Sequence, residues 1–191
     1  MARYGKEHKE ATRGRILEAA GRRLKKDGID GSGIATLMAD AGLTNGAFYA
    51  HFDSKDDLVA TVVGDQLRAQ AERLQGLAPD RRAVEQYVRE YLSVEHRDNR
   101  DAGCPSAALL DEIGRCTADT RRAYTDGAQV FVHEIARRLS PDDPRAAYGR
   151  ARGLFALMIG TMQVSRALTD RRLAVEVLEQ GIENALVLMD A

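Results

Sequence analysis

Apolar residues recur along this chain at intervals of three and four, the spacing of one face of an α-helix. Ile16, Leu17, Ala20 and Leu24 form one such stripe in a helix expected from about Lys9 to Lys26. Arg13, Arg15, Arg22, Arg23, Lys25 and Lys26 cover the rest of it, and Asp27-Gly28 ends it, glycine suiting a left-handed C-terminal cap. A short helix carrying Ile34, Leu37 and Met38 is expected after Ser32. Ala41-Gly42-Leu43 breaks it, and Thr44 suits the N-cap of a third helix reaching about His51. Asp53-Ser54 opens a long fourth helix, with Asp56 and Asp57 at the positive end of its dipole. Val59, Val63, Leu67, Ala71 and Leu74 keep one face of it apolar to about residue 75.

Pro79-Asp80 punctuates the chain, and a helix to about Glu95 follows, with Val84, Tyr87, Val88, Tyr91 and Leu92 inward. His96 to Gly103 reads as a loop. Cys104-Pro105 opens the next helix, because a proline at the first helical position forfeits no hydrogen bond. Further helices are expected at about 118–139, 145–168 and 171–190, with a linker at Ser140–Pro144. No run of alternating β-branched residues reaches strand length. The expected fold is all-α, with about nine helices.

Two short helices joined at Gly42 fit a helix-turn-helix, whose second helix enters the major groove of DNA. Phe48 and Phe52, four apart, should pack on the neighbouring helices, leaving Thr44, Asn45, Tyr49 and His51 able to hydrogen-bond outward. Gly46 and Ala47 leave room for close approach. Asn45 suits base reading, since an amide pairs bidentately with adenine. Tyr49 is either a phosphate contact or a half-buried packing aromatic, and His51 either donates to phosphate or caps its helix. Lys55 is a candidate phosphate contact, and Arg3 and Lys6 either track the DNA or form a free tail.

From Gly28 to Val63 the chain resembles the N-terminal domain of the TetR/AcrR family of transcriptional regulators. The likeness rests on Ile16-Leu17-Glu18-Ala19-Ala20, Ala41-Gly42-Leu43-Thr44, Gly46, Phe48-Tyr49-Ala50-His51-Phe52 and Ser54-Lys55-Asp56-Asp57-Leu58. Leu24-Lys25 departs from the family's aromatic, and Gly33 from its Ser or Thr, which leaves Ser32 to cap. The resemblance implies a DNA-binding head at 1–54 and a ligand-binding, dimerising body at 55–191. It implies Thr36, Thr44, Asn45, Gly46, Ala47, Tyr49, His51 and Lys55 as the DNA-facing set. It also implies a homodimer through the last two helices, whose stripes and small residues Gly149, Gly153 and Gly160 fit that use. The partners are then a double-stranded operator and a small-molecule effector. Tyr87, Tyr91, Cys104, Phe131, Phe155, Met158, Met162 and Gln163 are the candidate effector wall, and no charge cluster points inward, so a largely apolar ligand is expected.

Charge sharpens this picture. The net charge is −1, yet residues 1–26 hold nine Lys or Arg against three Glu, while 61–191 hold eighteen Arg against twenty acids. One basic end on a near-neutral body suits contact with a polyanion through that end. The longest uncharged stretch, Gly153 to Ser165, is 13 residues, too short for a membrane span. Residues 1–10 are polar and charged, so the cytoplasm is the expected compartment. Cys104, at a helix N-terminus after a polar loop, suggests a thiol or electrophile sensor as a second reading, or else a small buried residue. Twelve residues of helix would hold Cys104 and Cys116 roughly 18 Å apart, too far for a disulfide. His8, His51, His96 and His133 have no metal-ligand spacing, and no nucleotide or nucleophile motif is present, so neither cofactor nor catalysis is expected. The reading from another class is an all-α enzyme or scaffold with a coincidental hairpin.

Overall fold

The computed structural model describes residues 2–191, with side chains from Glu7 onward. Among the described residues it holds nine α-helices, three short 3-10 helices and no strand. α1 (Ala2–Asp27) ends at Gly28, and α2 (Ile34–Asp40) is followed by Gly42. Both glycines have positive φ, +83° and +67°, where a Cβ would be strained. The cap expected from Ser32 is not made. Gly33 occupies the N-cap of α2 without a side-chain bond, and the Ser32 hydroxyl donates instead to the Gly28 carbonyl at 2.6 Å.

The expected third helix is a 3-10 helix, Asn45–Ala50. Its bonds from Ala47 N to Thr44 O and from His51 N to Phe48 O span three residues, and Thr44 makes no side-chain cap bond. Gly46, Phe48 and Tyr49 are weak α-formers, and six residues are too few to overcome that. Packing of Phe48 and Phe52, 0% and 2% exposed with rings 5.7 Å apart, holds the segment instead.

α3 (Lys55–Gln75) starts on a reciprocal cap: Ser54 Oγ accepts from Asp57 N, and the Asp57 carboxylate accepts from Asp53 N. α4 (Arg81–Tyr91) stops earlier than expected, because Ser93 opens a new turn by accepting from His96 N. The expected loop is therefore largely helical, as α5 (Val94–Asp98) and a 3-10 turn, Arg100–Ala102. α6 (Pro105–Arg115), α7 (Ala118–Leu139), α8 (Tyr148–Ala167) and α9 (Arg171–Asp190) complete the chain, with a 3-10 turn at Pro144–Ala147.

Two hydrophobic cores form, and α3 belongs to both. Leu58, Val62, Val63 and Leu67 close the head core with Ile16, Leu24, Leu37 and Phe48; Ala71 and Leu74 enter the body core with Phe131, Leu154 and Leu178. The head core also takes Leu109 and Ile113 from α6, and Glu112 of that helix accepts from Ile29 N at 2.7 Å. The body is thereby bonded to the loop after α1. α3 packs most extensively on α7, and α8 on α9. No helix among the described residues is long and apolar enough to cross a membrane.

Candidate nucleic-acid interface and the cavity above it

The head is held by arginines of α1. Arg13 donates to the His51 carbonyl at 3.0 Å and lies over the Phe52 ring, and Arg15 donates to the Ala41 carbonyl at 2.6 Å. Arg23 grips both Asp40 oxygens, at 2.6 and 2.9 Å, and so holds that carboxyl below its usual range. Each bond ties α1 to the end of α2 or of the 3-10 helix, so the helix-turn-helix moves with α1.

Of the expected DNA-facing set, Thr36, Thr44, Asn45, Gly46 and Tyr49 are exposed, Tyr49 most of all at 68%. Ala47 is half-buried. Two residues are placed otherwise. The His51 ring is half-buried with Nδ1 shut off from partners, and burial, then Lys9 and Arg13, lowers its pKa, so it is a neutral ring beside cations. Lys55 Nζ donates to the Ile29 carbonyl at 2.5 Å and ties the start of α3 to the loop after α1. The side chains of Arg3 and Lys6 lie outside the described residues.

Above the head lies a cavity of about 730 Å³ between α1, α3, α4 and the α5–α6 connection. Tyr87, Tyr91 and Cys104 of the expected wall line it. The other candidates sit elsewhere: Phe131, Met158 and Met162 are buried in the body core, Phe155 packs on Phe131 at 5.7 Å, and Gln163 is half-buried on α8. The rest of the wall is polar. Gln66, Gln70 and Arg73 come from α3 at spacings of four and three, a stripe legible in the sequence as one polar face inside an apolar helix. Glu90, Ser93, Glu95, His96 and Asn99 come from α4 and the turn after it, and Lys25 from α1. The expectation of a wall without charge is thus corrected. It failed because Lys25 and the 93–103 segment reach the cavity through tertiary packing that helical periodicity does not encode.

The electrostatics of this wall are specific. Lys25 is 6% exposed; its Nζ donates to the Gly103 carbonyl at 2.9 Å, and burial pushes its pKa down to about 8. His96 shares Nδ1 with the Tyr91 carbonyl at 2.6 Å and accepts from Cys104 N at Nε2, which makes Nδ1 the protonated nitrogen. Burial lowers the His96 pKa and raises those of Tyr87 and Tyr91, so all three are neutral. Arg166 of α8 braces the segment from behind through the carbonyls of His96, Arg97 and Ala107. Cys104 is 3% exposed and lines the cavity; it and Cys116 are free thiols.

A helix-turn-helix on an all-α body with its own cavity defines a class, and known proteins of that class are similar to this chain. Residues 16–62 match the family model described as bacterial regulatory proteins, tetR family. The HTH-type transcriptional regulator TtgR of Pseudomonas putida is 40% identical over 63 residues, 33% of this chain and 30% of the relative. The chain therefore spans under a third of that relative's length. A Lactococcus lactis HTH-type regulator of uncharacterised role is 25% identical over 68% of each chain. The reduced form of Escherichia coli NemR superposes with a TM-score of 0.77 over 92% of this chain and 95% of that one, at 21% identity. A TetR-family transcriptional regulator from Streptomyces coelicolor gives 0.68 over 94% and 90%, at 26% identity. Residues 16–62 thus match the tetR-family model, and the chain as a whole shares the fold of TetR-family transcriptional regulators.

Proposed function

We propose that the chain is a ligand-responsive, DNA-binding transcriptional regulator: a homodimeric repressor released from a palindromic operator by a small molecule. Residues 1–54 bind DNA, with Asn45 reading a base and Thr36, Thr44 and Tyr49 on phosphates; residues 55–191 hold the effector and the dimer contact. The observation that carries this reading is the make-up of the cavity wall. Lys25 on α1 and Gln66, Gln70 and Arg73 on α3 line it, and these two helices also build the head core. A ligand that prefers one spacing of α1 and α3 shifts the head with it. Dimerisation through α8 and α9 is supported by their outward apolar residues, Val164, Leu173 and Val187, at 51%, 43% and 71% exposure. The tetR match across residues 16–62 disfavours a coincidental hairpin on an enzyme or scaffold.

The placement of Cys104 in the cavity wall supports a second reading, in which an electrophile entering the cavity reaches this thiol. Both readings face one experiment: anisotropy titration of a duplex taken from the DNA upstream of the chain's own gene. Binding in the range of 10⁻⁸ M or tighter, and well above a scrambled duplex, is expected. Equal affinity for both duplexes would refute sequence-specific regulation. Loss of an electrophile response in Cys104→Ser would separate the second reading from the first.

A further inference from the structure

The cavity wall holds a cation without a counter-charge and two residues with a buried polar atom that has no hydrogen-bond partner. Lys25 is 6% exposed, and its ammonium has one hydrogen bond, to a neutral carbonyl. Among the described residues no carboxylate lies within ion-pair distance of it; Asp101, which acts on it only at longer range, is not part of the wall. The Tyr91 hydroxyl is buried on a residue 7% exposed and has no hydrogen-bond partner, although the Cys104 thiol lies beside it. Gln66 Oε1 is buried and unpartnered as well. His96 has both ring nitrogens engaged and offers nothing. At the outer end the wall is balanced, because Arg73 pairs with Glu90 at 2.5 Å.

A buried charge without a counter-charge is strongly unfavourable, and an unmade buried hydrogen bond adds to that. Both are relieved by one occupant: an anionic oxygen that accepts from Lys25 Nζ and from the Tyr91 hydroxyl. A cavity of about 730 Å³ has room for far more than a simple ion. The rings of Tyr87 and Tyr91, 6.2 Å apart, give the remainder of such a molecule an apolar face, and Gln66 Oε1 gives it an acceptor.

Resting on the effector reading above, we propose that the cavity takes a small organic acid. Its carboxylate sits between Lys25 and Tyr91, and Lys25 passes its arrival to the head. Lys25 is suited to that second task by position. It lies one turn or less from Arg23, which holds Asp40 of α2, on the helix whose Arg13 and Arg15 hold the recognition segment. An acid that draws the ammonium from the Gly103 carbonyl loosens one bond between α1 and the body and forms another in a different direction. The ligand then differs in affinity between the two arrangements, which is the condition for shifting their populations.

The test pairs benzoate, phenylacetate and 1-naphthoate with their neutral amides, by calorimetry and thermal shift on the full chain. At least one acid is expected to bind at one site per protomer and to outdo its amide about tenfold or more, as a charge-assisted pair requires. Lys25→Met should remove that preference, Lys25→Arg should restore part of it, and Tyr91→Phe, which deletes only the hydroxyl, should weaken the acid a few-fold. If no acid outdoes its amide, or if Lys25→Met binds acid as well as the wild type does while retaining its circular dichroism, the proposal is overturned. The wild type is also titrated on the upstream duplex with and without acid. Specific DNA binding without any acid effect would overturn this inference alone; absence of specific DNA binding would overturn the regulatory reading beneath it.

Discussion

Replacing Lys25 by methionine should make the ligand-free protein more stable at neutral pH. Burial lowers the Lys25 pKa from 10.5 to about 8. At about 1.4 kcal/mol per unit, keeping this amine charged in the fold costs about 3 kcal/mol relative to leaving it in water. The folded pKa lies below the unfolded one, so between about pH 8 and 10.5 the unfolded chain holds a proton that the folded chain has released. Stability therefore rises with pH across that window, and the whole penalty is present below it. Methionine keeps most of the stem, removes the charge, and forfeits the bond to the Gly103 carbonyl, a loss of about 1–2 kcal/mol. The balance is a gain of about 1–2 kcal/mol for Lys25→Met at pH 7. Near pH 10 the wild type has shed its penalty, and the variant should be equal or slightly weaker. Urea unfolding followed by circular dichroism at both pH values gives the difference directly, with other groups cancelling between the two proteins. A variant weaker than wild type by the same amount at both pH values would refute the reasoning, since Lys25 would then be a plain structural tie.

On the upstream duplex, Asn45→Ala should lose about 1–3 kcal/mol of discrimination at one base pair of each half-site while binding scrambled DNA as before. Tyr49→Phe should lose about 0.5–1.5 kcal/mol on both duplexes without a change in salt slope; anisotropy at several salt concentrations reads both. Lys55→Ala removes the tie to the Ile29 carbonyl and should destabilise the protein by about 1–2 kcal/mol in urea. Its salt slope should be unchanged, and a drop of about one unit would instead return Lys55 to the DNA backbone. Val187→Glu, at a site 71% exposed on α9, should leave the fold intact and give monomers in sedimentation velocity, because it buries an unpaired charge only in a dimer. Dimers of unchanged strength would move the interface away from α8 and α9.

The helices were legible because each buries a stripe, and a stripe is a local property. α7 and α9 fall at the limits that Leu139, Arg171 and Asp190 mark in the sequence, and Pro105 opens α6 where a missing N–H is harmless. The head was legible for a second reason: apart from its ties to α6 and to Gly103, its hydrogen bonds and apolar contacts join residues of one contiguous stretch, in a motif with a fixed order. What the sequence could not carry was any feature made by distant segments meeting. Whether Asn45–Ala50 coils as an α- or a 3-10 helix depends on where the cores of α1 and α3 hold Phe48 and Phe52. Lys55 reads as a free cation until the Ile29 carbonyl is brought to it. Lys25 reads as one more cation on a basic helix; only folding places it against Gly103, 78 residues on, and turns it from a solvated charge into a buried one. Burial is set by the sum of all neighbours, so the chemistry of the cavity belongs to the tertiary structure.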